Sequence, residues 1–310
     1  MTQVSAEQIK TLRESTGAGM LDCRKALVEN NGNMENAVDW LRKKGLSAAA
    51  KKSGRVAAEG VAAVAVKGTK GALIELNSET DFVAKNEQFQ KLAASIAEFA
   101  LNESIGDVEK LKNAKCPKTG KSITEQVTAA IATIGENITL RRSAEISVSK
   151  GIVASYVHSA VAPGMGKIGV LLAIESEADT GKLEQLGKQI AMHIAASRPE
   201  AVTTAEVDAS KLNRERAVYR EQAAASGKPA DVVEKMVEGR VRKYYEEVVL
   251  MEQVFVVDGK AKISQVVEAA SKELGKPVKI TSFVCFKVGE GIEKQQGDFA
   301  AEVAAAAGAA

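Results

Sequence analysis

The feature that most constrains this chain is an internal duplication. Within its 310 residues, the segment ITEQVTAAIATIGENITLRRSAEI from Ile123 aligns without gaps with ISQVVEAASKELGKPVKITSFVCF from Ile263, at an offset of 263 − 123 = 140. Gly135 and Gly275 fall at the same place, just after an amphipathic stretch. A glycine there is typical of a helix C-terminus, so each copy is predicted to close with a helix and then a strand.

Each copy also opens in the same way. GVAAVAV from Gly60 and ALIELNSETD from Ala72 predict a β-hairpin in the first copy, followed by a helix from Asn86. In the second copy the corresponding strands are GIVASYV from Gly151 and VLLAIESEAD from Val170, with a helix from Lys182. The sequence therefore predicts an α+β fold with a core of two related subdomains.

The second copy contains an insertion. Its hairpin is offset by 170 − 72 = 98, so 140 − 98 = 42 additional residues precede its closing helix. They fall around 205–250 and predict two polar helices broken at Gly227, Lys228 and Pro229. Such a pair is expected to project as an antiparallel helical hairpin, which is either a solvated spur or an interaction arm.

A small helical module is predicted before the duplication. Ser5 and Gln8 have the spacing of a capping box, and Gly17, Gly32 and Gly45 each follow an amphipathic stretch. Three short helices are therefore expected. The stretch SAAAKKSGRVAAE at 47–59 is small and basic and is predicted to be a linker.

Composition excludes several classes of protein. With 42 Lys+Arg against 40 Asp+Glu the formal net charge is +2, which is ordinary for a globular chain and unlike a disordered or polyanion-binding one. Cys23, Cys116 and Cys285 are far apart, as in a reduced intracellular protein. There is no apolar run of membrane-spanning length and no signal-peptide pattern. We expect a cytoplasmic location without membrane contact.

Catalytic machinery is sparse. His158 and His193 belong to no metal-binding or nucleophile motif, so we expect no metal, although a hydrolase using either histidine remains an alternative. Gly164, Gly166 and Gly169 spell G-x-G-x-x-G, but a strand-like run follows where a nucleotide fold needs a helix. These glycines are predicted to form a β-hairpin loop, and no cofactor is expected.

The two copies differ at the end of the hairpin. Where the second copy has Thr180, the first has Phe82, in a chain with only seven phenylalanines. An isolated aromatic before a helix commonly packs inward as a hydrophobic staple. The alternative is an exposed side chain that a capped loop presents to a partner.

At this loop the chain resembles the bacterial elongation factor Ts family, the guanine-nucleotide exchange factors of elongation factor Tu. The resemblance is carried by TDFVAKN from Thr80, LRESTGAGMLDCRKAL from Leu12, AMHIAASRPE from Ala191 and FKVGEGIEKQQGDFAAEV from Phe286, which together span nearly the whole chain. It implies an exposed Phe82, a ubiquitin-associated-like N-terminal module, a coiled-coil-like insertion and a short C-terminal module. The expected units are 1–46 (helical module), 47–59 (linker), 60–148 (first core subdomain), 149–204 with 251–288 (second), 205–250 (hairpin) and 289–310 (C-terminal module).

The resemblance also implies a mechanism without covalent chemistry. Thr80, Asp81, Phe82 and Val83 are expected to contact the partner GTPase, where the phenylalanine would dislocate Mg²⁺ and so promote GDP release. Further contacts are implied at the positions Leu12, Met20, Leu21 and His158. The alternative for Leu12, Met20 and Leu21 is that they form the core of a three-helix bundle. After His158, SAVAPGMGKIG is expected to form a longer loop than the family commonly has.

Two partner questions stay open at this stage. Lys51, Lys52 and Arg55 suggest RNA binding, but the near-neutral charge and the lack of an aromatic platform argue against direct nucleic-acid contact. The inserted hairpin would serve either self-association or partner contact.

Overall fold

The computed structural model describes residues 4–16, 18–225 and 229–293. Its first three helices are α1 Ala6–Thr16, α2 Met20–Glu29 and α3 Met34–Lys52. The predicted capping box is confirmed, because the Gln8 N–H donates to Ser5 Oγ (3.1 Å) and the Ser5 N–H to Gln8 Oε1 (3.0 Å). These helices close over a small core made of Leu12, Cys23, Ala26, Leu27 and Ala37.

The third helix is longer than predicted. Gly45 does not end it, and α3 continues through Ser47 to Lys52, so the first part of the expected linker is helical. A Cβ atom at Gly45 would lie 3.1 Å from the Cβ of Ala132 in α7 (Ile123–Ile134). The glycine therefore permits a close approach of two helices, and the Ala and Lys residues that follow favour helix. Gly17, the first predicted stop, lies outside the described residues.

The six strands of the described residues form one antiparallel sheet with two three-stranded halves, which are called the first and the second sheet below. The strands are β1 Glu59–Lys67, β2 Lys70–Ser78, β3 Thr139–Ser147, β4 Gly151–Ala162, β5 Met165–Ser176 and β6 Val278–Lys287. In each sheet the second hairpin strand is central and pairs with both its hairpin partner and the closing strand. A short β1–β5 pairing at Ala62–Gly166 and Ala63–Met165 joins the two sheets.

The duplication extends to the register of the strands. Leu76 pairs with Leu140 in the first sheet, and Ile174 pairs with Ile280 in the second, at the offsets of the sequence alignment. Both pairings carry a register shift at the same place, between Glu75 and Leu76 and between Ala173 and Ile174. The two related subdomains therefore have the same local architecture.

Two glycines explain how each hairpin begins. Gly60 and Gly151 have φ of 121° and 114°, and a Cβ atom on either would lie 2.1 Å from a carbonyl oxygen of the neighbouring strand. Only glycine fits both the angle and the close approach. The equivalent glycine thus marks the start of each copy.

Helices cover the outer face of each sheet. The first sheet is covered by α5 Glu87–Glu103 and α6 Val108–Asn113, with α7 packed against both, and the second by α8 Thr180–Ser197 and α11 Ile263–Leu274. The closing helices α7 and α11 end at Gly135 and Gly275 with left-handed φ of 92° and 65°, as predicted. The inner faces of the sheets meet at a smaller apolar cluster of Ala62, Leu73, Val153, Leu171 and Ala173.

The insertion at 205–250 contains α9 Ala209–Ala224 and α10 Ala230–Val248. The two helices pack through an apolar seam that includes Ala223, Val233, Val237 and Val241, and we call this insertion the helical arm. Gly227 and Lys228 of the predicted break lie outside the described residues, and so do residues 294–310 of the expected C-terminal module.

The segment after His158 is not the long loop that was expected. Strand β4 continues to Ala162 and β5 begins at Met165, so Pro163 and Gly164 alone form the turn. His158 pairs with Ile168 within the ladder. The additional residues lengthen the hairpin because their backbone groups find partners in the opposite strand.

The glycine motif is correspondingly only in part a hairpin loop. Gly164 lies in the turn with φ of 70°, whereas Gly166 and Gly169 lie in β5. A Cβ atom at Gly169 would lie 2.6 Å from Leu73 Cδ1. This glycine therefore permits the close packing of the two sheets and does not form a phosphate-binding turn.

Candidate functional site

Phe82 is the most exposed large aromatic feature of the first subdomain. It lies in the short helix α4 (Asp81–Ala84), which follows the end of β2 after two intervening residues, and is 77% exposed. Asp81 beside it is about half-exposed and lies 3.7 Å from the Lys85 ammonium. The inward-packing alternative for Phe82 is therefore wrong, and the loop presents an aromatic ring and a carboxylate to solvent.

The residues after Phe82 fix the position of α4. Val83 and Ala84 are buried in the core of the first subdomain. In the free chain Val83 holds α4 against β1 and β2, and its expected contact with a partner stays a prediction. Asn86 accepts hydrogen bonds from the N–H groups of Gln88 (2.9 Å) and Phe89 (3.2 Å) and so caps α5.

Thr80 is held by a residue far away in the sequence. Its N–H donates to Glu136 Oε2 (3.0 Å) and its hydroxyl donates to Glu136 Oε1 (2.6 Å). Its carbonyl oxygen accepts from the Ser78 hydroxyl at 2.9 Å. The N-terminal end of α4 is thus hydrogen-bonded on both sides.

The connection that carries Glu136 is itself fixed. Asn137 is buried, its N–H donates to Glu79 Oε1 (2.6 Å), and its side-chain amide donates to the Arg55 carbonyl (2.7 Å). Arg55 also pairs with Glu79 at 3.5 Å. The Phe82 loop is therefore connected to the segment that follows α3.

Sequence reasoning missed Glu136 and Glu79. The signal was present in the gapless alignment of the two closing segments, in which Glu136 and Asn137 correspond to Lys276 and Pro277. In the second copy the Ser176 hydroxyl donates to the Pro277 carbonyl (2.7 Å), and Lys276 faces Glu177 at 3.8 Å. The two copies thus differ at the anchor as well as at the aromatic residue.

The N-terminal residues divide between core and surface. Leu12 is fully buried among α1, α2 and α3, in the core of the helical module. Met20 and Leu21 are 58% and 80% exposed at the start of α2. Met20 and Leu21 thus offer apolar surface, and contact of all three residues with a partner stays a prediction.

The two histidines have different environments. His158 is exposed on β4, where its Nδ1 lies 3.3 Å from the Tyr156 hydroxyl. His193 is fully buried, with Nε2 2.8 Å from Gln253 Oε1 and Nδ1 accepting from the Val256 N–H at 3.3 Å. Burial lowers the pKa of His193, and the contact with Gln253 only partly opposes this. Both its ring nitrogens are therefore engaged in structural hydrogen bonds, which argues against a role in hydrolysis.

The described part of the chain was also expected to lack a membrane span and a metal site. None of its helices combines the length and apolar character needed to cross a membrane. Among the same residues, no group of three or more His, Cys, Asp or Glu side chains is arranged to hold a metal ion.

Comparison with known proteins relates this architecture to one family. A family profile described as "Elongation factor TS" matches residues 79–290, from just before the Phe82 loop to just past the end of β6. Elongation factor Ts of Rhodospirillum centenum is 63% identical, covering 99% of this chain and 100% of that protein. The proteins of the same name from Paramagnetospirillum magneticum and Agrobacterium fabrum are 59% and 52% identical, with at least 98% of each chain covered. With so much of its length shared, the chain belongs to the elongation factor Ts family of bacterial translation elongation factors.

Proposed function

We propose that this protein is a guanine-nucleotide exchange factor that binds elongation factor Tu in its GDP-bound form and promotes GDP release, without acting as an enzyme in the covalent sense. The observation that carries the proposal is the exposed Phe82 on a loop anchored by Glu136 and by the buried Val83. An aromatic side chain held in this way can enter a partner's pocket at low cost in conformational entropy.

The proposed mechanism acts on the electrostatics of the partner's nucleotide site. Phe82 and Asp81 press on the elements that hold Mg²⁺ and the β-phosphate, and this displaces the ion. Mg²⁺ is the main charge that neutralises the phosphates, so its displacement weakens nucleotide binding. Exchange factor and GDP must lower each other's affinity by the same factor, since the coupling between two binding sites is reciprocal.

Other exposed residues supply affinity in this proposal. Met20 and Leu21 offer apolar surface on the helical module, and His158 offers a polar edge on β4. They belong to elements separate from the Phe82 loop, so they are expected to affect binding more than the release step. Self-association through the helical arm at 205–250 stays a prediction.

The test is release of a fluorescent GDP analogue from purified elongation factor Tu in the presence of Mg²⁺. Substoichiometric wild-type protein should accelerate release, and Phe82→Ala should lose most of that acceleration. Thr180→Ala is the matched control, because Thr180 occupies the equivalent position of the second copy. A folded wild-type protein that leaves the release rate unchanged would refute the proposal.

A further inference from the structure

We infer that Glu136 is a positioning residue for Phe82: its carboxylate sets the orientation of α4 and thereby the place where the aromatic ring meets the partner. This inference rests on the proposed exchange function and deepens it. Glu136 lies in the connection between α7 and β3, 56 positions along the chain from Thr80.

The geometry of the contact is that of a two-point clamp. Both carboxylate oxygens of Glu136 are used, one by the Thr80 N–H (3.0 Å) and one by the Thr80 hydroxyl (2.6 Å). Hydrogen bonds to a charged acceptor are stronger than neutral ones, and two of them fix direction as well as distance. The residue that they fix is the one immediately before Asp81 and Phe82.

Thr80 is also unusual as a helix N-cap. A threonine in this position normally uses its side-chain oxygen to accept from the first turn, but in α4 no such bond is present. The hydroxyl donates to Glu136 instead. The start of α4 is therefore oriented by a tertiary contact and not by its own local capping.

Glu136 can act in this way because its own backbone is held. Gly135 ends α7 in a left-handed conformation, with φ of 92°. On the other side, Asn137 is hydrogen-bonded to Glu79 and to the Arg55 carbonyl. These bonds therefore connect the start of α4 to the C-terminal end of α7.

The second copy provides an internal comparison. It has Thr180 in place of Phe82, Ala178 in place of Thr80 and Lys276 in place of Glu136. A lysine cannot accept a hydrogen bond and an alanine side chain cannot donate one. The copy without the aromatic ring therefore also lacks the clamp, which is expected if the two act together.

The test measures GDP release from elongation factor Tu as a function of exchange-factor concentration. Glu136→Ala should lower the maximal release rate about tenfold, the effect of losing hydrogen bonds to a charged group. The half-saturating concentration should change much less, because Met20, Leu21 and His158 are untouched. Glu136→Gln, which keeps the side-chain volume and one accepting oxygen, should give an intermediate rate. Lys276→Ala, at the equivalent position of the second copy, should match the wild type.

A double variant separates positioning from a general structural role. If Glu136 acts through the ring, Phe82→Ala combined with Glu136→Ala should release GDP no more slowly than Phe82→Ala alone. Amide hydrogen exchange on the free protein gives an independent readout, since Glu136→Ala should raise the exchange rate of the Thr80 N–H.

Three results would overturn the inference. They are a Thr80 amide that stays equally protected in Glu136→Ala, a wild-type maximal rate in that variant, and a double variant that releases GDP more slowly than Phe82→Ala alone. In all three cases the wild-type protein remains active. A wild-type protein without activity would instead refute the proposed exchange function itself, so the two failures are distinguishable.

Discussion

Replacing Phe82 by alanine should reduce activity and spare stability, whereas replacing Phe89, seven positions further on, should reduce stability. Phe82 is 77% exposed, so only the remaining 23% (100 − 77) of its surface is removed from solvent. A phenylalanine can bury about 200 Å², which leaves about 45 Å² for Phe82. At about 25 cal/mol per Å² this corresponds to about 1 kcal/mol, and this figure is an upper bound because unfolded chains already bury some surface.

Phe89 is the matched control within the same segment. It lies in the first turn of α5 and is fully buried in the core of the first subdomain. Removing a buried phenylalanine typically costs about 3–5 kcal/mol, because transfer energy is lost and a cavity remains. We therefore expect Phe82→Ala to unfold at nearly the wild-type urea concentration and Phe89→Ala to unfold at a much lower one.

Urea denaturation followed by circular dichroism measures the stabilities, and the GDP-release assay measures the activity. Phe82→Ala should keep its stability within about 1 kcal/mol of the wild type while losing most of the acceleration. A loss of about 3 kcal/mol or more in this variant would mean that Phe82 is an ordinary core residue. Full acceleration by a folded Phe82→Ala protein would refute the role of the ring.

Three further predictions follow from buried charge, pH and surface contacts. Glu75 is fully buried and pairs with Arg141 (3.1 Å) and Arg142 (2.5 Å). In urea denaturation, Glu75→Ala should lower the free energy of unfolding by about 3 kcal/mol, at the low end for a broken buried pair because both arginine side chains are about one quarter exposed. A loss below about 1 kcal/mol would contradict this. Burial holds the pKa of His193 below its ordinary 6.5, so the unfolded chain binds the proton more tightly. Stability should therefore fall as pH drops below about 6.5, and His193→Gln should reduce this pH dependence in urea midpoints measured from pH 7.5 to 5.5. Leu21→Asp should raise the half-saturating concentration in the GDP-release assay with little change in stability, because Leu21 is 80% exposed, and an unchanged value would remove it from the interface.

Local patterns were sufficient for much of the fold. The two copies, their hairpins and the glycine stops of α7 and α11 could be predicted because each depends on residues near in sequence and on helix and strand periodicity. The exposure of Phe82 was different. Residue patterns alone favoured inward packing, and the family resemblance pointed to the surface.

Contacts between distant segments decided the remainder. Periodicity shows that a helix has an apolar face but not which element covers it, so it could not show that Gly45 lies against Ala132 inside a continuous helix. For the same reason it could not distinguish the buried Leu12 and Val83 from the exposed Leu21 and Phe82.

The sequence by itself determined the duplicated α+β core and the loop on which the two copies differ. Both follow from residue patterns within short segments and from an alignment of the chain with itself. The tertiary structure alone decided how that loop is held. Thr80 and Glu136 are 56 positions apart, and only the packing of α7 against α3, α5 and α6 brings the carboxylate to the start of α4. Long-range hydrogen bonds of this kind depend on where rigid elements end in space, which no local pattern specifies.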